Sequence, residues 1–186
     1  MSSISRHALG MIECNSVSRG VIVSDVLIKT SNITLIQSSP ICPGKYYSLV
    51  AGTVDNVRAS LDKGCVAARP FLVDYVLIPN VHPDVQKATL FSTCPDEIDA
   101  LGIIETHSLA TCLEVADVVA KIADVQLIEV RLAKCMGGKA FVSFTGDVAA
   151  VEVAKEAGKD LAQSKGVLVH AIAIAHPHKD IHRFLV

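Results

Sequence analysis

One cysteine in this chain stands apart by its neighbours. Ile41-Cys42-Pro43-Gly44-Lys45 places a thiol in a short Pro/Gly turn with a lysine directly behind it. A thiolate there could ligate a soft metal or an iron–sulfur cluster. Pro43 bends the chain, Gly44 lets the backbone approach closely and offers an N–H to a sulfur, and Lys45 could balance an anionic group. A single cysteine cannot hold a cluster alone, because clusters want several thiolate ligands. The plainer reading is therefore a loop thiol lining a pore, with a solvated lysine at the start of the next strand. Met136-Gly137-Gly138-Lys139 looks like the same turn rebuilt, with Met136 in the slot aligned with Cys42. Cys135, one position earlier, reads as a stray thiol, with a nearby redox partner as the alternative.

Other chemistry-bearing residues carry less. His176, His178 and His182 suggest a metal site, and the last two have helical i,i+4 spacing. The matching place earlier in the chain, His82-Pro83, has no such cluster, which favours helix-start and edge histidines. Glu13 and Glu105 tempt a general-acid reading, but they recur at equivalent places and suit a structural hydrogen-bonding role. No Ser/His/Asp or Cys/His nucleophile set and no phosphate-binding glycine loop can be assembled, so no catalytic site is expected.

The elements that position these residues come from a chain of 186 residues, enough for one medium domain or two small ones. Apolar residues make up 51% and charged residues 19%, which supports a sizeable core rather than disorder. A formal net charge of −2 gives no basic face for nucleic acid or an anionic membrane. Mean hydropathy is +0.44, yet no apolar run reaches membrane-spanning length, so the excess of Val, Ile and Ala points to subunit interfaces. The first residues show no secretory hydrophobic stretch, and a cytosolic protein is expected. Six cysteines are spread with no C-x-x-C pair, as in reduced, mostly buried thiols.

The chain repeats itself. Leu9-Gly10-Met11-Ile12-Glu13 returns as Leu101-Gly102-Ile103-Ile104-Glu105, an offset of 92 that also matches Ser16 with Ser108, Asp25 with Asp117 and Lys29 with Lys121. Beyond the Cys42 loop the offset becomes 94, matching Gly44-Lys45 with Gly138-Lys139, Gly64 with Gly158 and His82-Pro83 with His176-Pro177. A two-residue insertion in the second loop explains the change. Two domains are expected, residues 1–97 and 98–186. Each reads as a strand ending in Glu, a helix capped by Ser16 or Ser108, two strands flanking the loop, a second helix, a fourth strand and a short closing helix that Pro83 starts. Gly20 inside the first helix needs a packing reason, and Asn32 suits a left-handed helix end. The order β-α-β-β-α-β is the ferredoxin-like plan, an α/β fold of the α+β kind. Asp25 and Lys29, like Asp117 and Lys121, form favourable i,i+4 pairs.

A duplicated ferredoxin-like domain with Leu-Gly-x-Ile-Glu opening each copy, Asp-x-x-x-Lys on the first helix and Gly-Lys after the second strand resembles the bacterial microcompartment shell domain. Two unpermuted copies resemble its tandem-domain class. The Cys42-Pro43-Gly44-Lys45 loop, the Gly137-Gly138-Lys139 loop and Pro177-His178 narrow the likeness to the iron–sulfur shell proteins of the propanediol-utilisation type. The resemblance spans the whole chain. It implies a homotrimer shaped as a pseudohexameric tile, with Cys42 of each chain on a 4Fe-4S cluster at the three-fold axis, one per trimer. Pro43, Gly44, Lys45, Met136, Gly137 and Gly138 would then form the cluster loop or pore. Lys29 and Lys121 would lie on tile edges, each lysine's methylene stem packing along a neighbour. Implied partners are other shell proteins and a redox enzyme, enclosed or cytosolic, within a shell in the cytoplasm. The role would be electron transfer across the shell. Two alternatives remain: a cluster-free tile whose axial pore gates a small metabolite, and a free trimeric regulator that binds an effector between subunits.

Overall fold

The computed structural model describes residues 8–90, 95, 97–132 and 136–182. The first copy runs β1 (Ala8–Cys14), α1 (Val17–Thr30), β2 (Thr34–Ile41), β3 (Lys45–Gly52), α2 (Val54–Ala68), β4 (Leu72–Pro79) and α3 (Pro83–Leu90). The second runs β5 (Ala100–Thr106), α4 (Leu109–Ile122), β6 (Val125–Leu132), β7 (Ala140–Gly146), α5 (Val148–Ser164), β8 (Leu168–Ala175) and α6 (Lys179–His182). Each copy builds a four-stranded sheet, ordered β2-β3-β1-β4 and β6-β7-β5-β8. The paired strands are antiparallel throughout, as the ferredoxin-like plan requires. No helix among the described residues is long and apolar enough to cross a membrane.

The central strand β1 is buried along its whole length, which its near-continuous apolar sequence calls for. Ala8, Ile12 and Val50 of the first sheet pack with Val23 and Leu27 of α1 and Val57 and Leu61 of α2. Ser16 caps α1 by accepting the Arg19 N–H, and Ser108 caps α4 by accepting the Thr111 N–H at 3.0 Å. The other end of α1 differs from expectation. Its cap is Ser31 in an extended conformation, and Asn32 is not left-handed. The Ser31 hydroxyl donates to the Asn56 carbonyl at 2.6 Å and meets Ser60 Oγ at 2.8 Å, so contacts with α2 set this end rather than a left-handed turn.

Gly20 has its packing reason. A Cβ built there would lie 2.3 Å from Tyr46 Cδ1 and 2.4 Å from Tyr46 Cβ. The latter atom is anchored to the β3 backbone and cannot swing aside. Alanine would gain at most about 1 kcal/mol in helix propensity. Forcing α1 off β3 costs more, so Gly20→Ala should destabilise by about 2 kcal/mol, read as a lower urea midpoint. An unchanged or higher midpoint would show that the helix can shift freely.

The described residues divide into two compact units that do not coincide with the two sequence copies. One comprises residues 8–81 with 136–138; the other begins at His82 and takes in the rest of the second copy. Helix α3, although it follows the first copy's last strand, thus belongs to the second unit. There it packs on β6 and α4 and buries Val85 and Ala88.

Strand register also corrects the alignment of the copies. Ala8 pairs with Pro79 and Ala100 with Ala175, so β4 and β8 are offset by two residues more than the loop insertion accounts for. Helix α5 supplies them, with 17 residues against 15 in α2. The counterpart of Asn80 is then His176, and both are left-handed, with φ of 50° and 49°. The counterpart of His82 is His178, not His176. Each of these two histidines accepts at Nδ1 the N–H two residues on, from Asp84 at 3.3 Å and Asp180 at 3.2 Å.

Candidate functional site

Strand β2 runs on through Pro40 to Ile41, past the Ile33–Ser38 span that the sequence suggests, and β3 starts at Lys45. Pro40 lacks an N–H, which an edge strand such as β2 tolerates. The expected loop therefore contracts to a tight turn, Cys42-Pro43-Gly44. All three residues are exposed. Gly44 adopts φ of 88° and donates its N–H to the Ile41 carbonyl at 3.0 Å. This corrects one expectation: that N–H closes the turn rather than pointing to a sulfur.

Residues 136–138 of the second glycine loop pack in the same compact unit as this turn. Gly138 is buried, and a Cβ added there would lie 3.2 Å from Pro43 Cδ and 3.4 Å from the Cys42 carbonyl oxygen. The two turns that the sequence singles out thus sit side by side. Met136 is half-buried and Gly137 exposed. Cys135 lies outside the described residues.

The lysines behind the turns are engaged. Lys45 Nζ donates to Glu13 Oε1 at 2.7 Å, and the carboxylate is fully buried at the end of β1. Lys139 Nζ donates to Glu105 Oε2 at 3.1 Å, with both side chains partly exposed. The recurring glutamates are therefore structural ion-pair partners that tie the strand-start lysines to the central strand. Lys45 is not a free cation over the Cys42 turn. The sequence contained the signal, since Glu and Lys recur together in both copies, but the pairing needs the β1–β3 register to be seen.

Burial sorts the thiols. Cys14 and Cys112 are buried and Cys65 is half-buried against the core, and burial pushes their pKa values up to about 11, about 12 and about 11 respectively. Such thiols stay protonated at neutral pH and are poor ligands and nucleophiles. Cys42 is the exposed one among the described cysteines. At about pH 8, a maleimide should modify Cys42 of the metal-free protein well before Cys14, Cys65 and Cys112 in the folded state, read by peptide mapping. Modification of Cys112 ahead of Cys42 would contradict this ordering.

The remaining candidates disperse. His176 Nδ1 lies 2.8 Å from Asp99 Oδ1 and its N–H donates to the Asp99 carbonyl, while His178 turns to Asp180. No group of three or more His, Cys, Asp or Glu among the described residues could hold a metal. Among the described residues, one chain alone thus offers a cluster one exposed thiolate ligand, Cys42. Lys29 and Asp25 form an exposed pair at 2.7 Å, whereas Lys121 and Asp117, 2.5 Å apart, sit in a more enclosed place. The Asp117 carboxylate does more than balance Lys121, because its Oδ1 accepts the His82 N–H at 2.7 Å at the start of α3. Its spacing from Lys121 had suggested only the helical pair.

Comparison with known proteins matches these features. The model of the BMC domain fits residues 8–81 and again residues 100–177. The bacterial microcompartment shell protein PduT of Citrobacter freundii is 35% identical over 180 residues, covering 97% of this chain and 98% of that protein. The shell protein EutM of Salmonella typhimurium is 39% identical over 84 residues, covering 45% of this chain and 85% of that protein, as expected for a duplicated domain. The crystal structure of a microcompartments protein from Desulfitobacterium hafniense superposes with a TM-score of 0.87 at 41% identity, covering 95% of this chain and 98% of that one. With two matched domains across most of its length, this chain belongs to the BMC-domain family of bacterial microcompartment shell proteins.

Proposed function

We propose that the chain forms a homotrimeric tile of the shell and that three Cys42 thiolates hold a 4Fe-4S cluster on the trimer axis. Such a cluster, when bound, would supply one-electron transfer across the shell. The role is structural and electron-conducting rather than catalytic. One observation carries the cluster reading: the exposed thiol among the described cysteines stands on a tight turn, with the second copy's glycine loop beside it. Because the pseudo-sixfold tile would repeat that thiol only in its first copies, a trimer offers three equivalent ligands, and one iron is left for a non-thiolate ligand. Family membership sets aside the free effector-binding regulator. Lys29 is proposed to contact neighbouring tiles, since its side chain is well exposed; Lys121 is the less open of the two. Partners are then other shell proteins, together with an enclosed or cytosolic redox enzyme.

Anaerobic purification followed by iron and sulfide analysis tests the reading, with about four of each per three chains expected. Metal-free trimers under those conditions would favour a tile whose axial opening gates a small metabolite. Gly137 and Gly138, with φ of 62° and 85°, give that loop a conformation suited to a gate.

A further inference from the structure

The aligned glycines Gly44 and Gly138 share one backbone conformation, with φ of 88° and 85°. An L side chain is strained at either, so turn geometry accounts for glycine at both. Their surroundings differ. A Cβ added at Gly44 would meet nothing within 4 Å among the described residues, and the same holds for Gly137, whose φ is 62°. Gly138 is buried, and its added Cβ would meet three groups of the first copy's turn. These are Pro43 Cδ at 3.2 Å, the Cys42 carbonyl oxygen at 3.4 Å and Lys45 Nζ at 3.6 Å.

Pressure at that point reaches the thiol. Pro43 Cδ belongs to a closed ring whose nitrogen is bonded to the Cys42 carbonyl carbon, so it cannot swing aside as a flexible side chain does. A push on the ring moves the Cys42–Pro43 peptide as one planar unit. The rest of the turn has little slack. The Gly44 N–H holds the Ile41 carbonyl at 3.0 Å, and the Lys45 ammonium is tied to the fully buried Glu13. The turn that carries Cys42 is thus held by its own hydrogen bond, by the strand-start lysine and by the backbone at Gly138. Residues 136–138 come from the second copy in sequence and lie in the first unit in space.

We infer that Gly138 is a positioning residue for Cys42: its bare backbone is the surface against which the Cys42–Pro43 peptide rests, and it fixes the direction in which the thiolate points. The inference rests on the cluster reading above and gives the second copy's loop a part in it that no ligand from that loop supplies. A cluster shared by symmetry-related thiolates needs each of them at one distance and angle, so a small shift of the turn weakens ligation. Gly137 has no such part, because no described residue lies against the place its side chain would take.

The test compares Gly138→Ala with Gly137→Ala in the full chain, with circular dichroism to confirm folding. Both put a side chain at positive φ, but only the first presses on the turn. In anaerobically reconstituted protein, Gly138→Ala should speed the loss of iron to a chelator by about 10-fold or more, as for other groups that orient metal ligands. It should also shift the electron paramagnetic resonance signal of the reduced cluster, whereas Gly137→Ala should match the wild type in both. In the metal-free protein, Gly138→Ala should speed maleimide modification of Cys42 by about threefold or more, because the turn loses its support. Pro43→Ala removes the same contact from the exposed side and should raise both rates, which keeps the test decisive if Gly138→Ala does not fold. Equal changes in the two glycine variants would assign the effect to backbone strain and overturn the inference. Wild-type rates in Gly138→Ala or Pro43→Ala would overturn it too. A wild-type chain that binds no cluster, while the thiol rates separate as expected, would overturn the cluster reading and support the positioning role.

Discussion

Cys42→Ser should abolish bound iron and acid-labile sulfide while leaving the trimer at its normal mass. A serine hydroxyl does not ionise near neutral pH, so the axis would lose all three thiolates at once. The fold should not notice: Cys42 is exposed on a turn that Gly44 closes through the Ile41 carbonyl. Exposed substitutions of this kind stay within about 0.5 kcal/mol. Loss of the cluster with retained assembly therefore separates ligation from stability. The buried thiols give a built-in control, because Cys14 and Cys112 are held protonated by burial and cannot take over as ligands without unpacking the core. A Cys42→Ser trimer that still carries a full cluster would assign the ligands elsewhere.

Lys45→Met should cost far more stability than Lys139→Met, although the two lysines occupy the same place in the repeat. Glu13 is fully buried and Lys45 mostly so, and their 2.7 Å ion pair lies at the end of the central strand. Removing the ammonium takes the Lys45 charge away from a carboxylate that is out of reach of water. Breaking a buried pair costs roughly 3–5 kcal/mol. The residual exposure of Lys45 lets some solvent in and brings the expected loss to about 2–3 kcal/mol. Glu105 and Lys139 are each about a third or more exposed and 3.1 Å apart. Water screens that pair, so its loss should stay under about 1 kcal/mol. Urea unfolding of both variants measures the contrast, and equal losses would mean that burial does not decide between them.

Much of this was legible in the residues. The Leu-Gly-x-Ile-Glu repeat, the Ser16 and Ser108 caps, the helical spacing after Ser108 and the apolar strand patterns determined a duplicated β-α-β-β-α-β domain, and the Pro/Gly turn marked Cys42. The family match then followed the same two stretches. What stayed hidden depends on pairings between distant segments. The pair of Glu13 with Lys45 requires β1 to lie beside β3, and no spacing along the chain states that. Asp117 looked like half of a helical pair because its second partner, the His82 N–H, comes from a different element.

By itself, then, the sequence determined the repeat, the order of elements and the identity of the thiol turn, because these depend on local pattern and on side-chain type. Only the tertiary structure decided that α3 belongs with the second unit and that His82 corresponds to His178. The physical reason is register. Two added residues in α5 leave helical periodicity intact, so the sequence pattern absorbs them silently, whereas antiparallel hydrogen bonding counts every residue from Ala100 to Ala175.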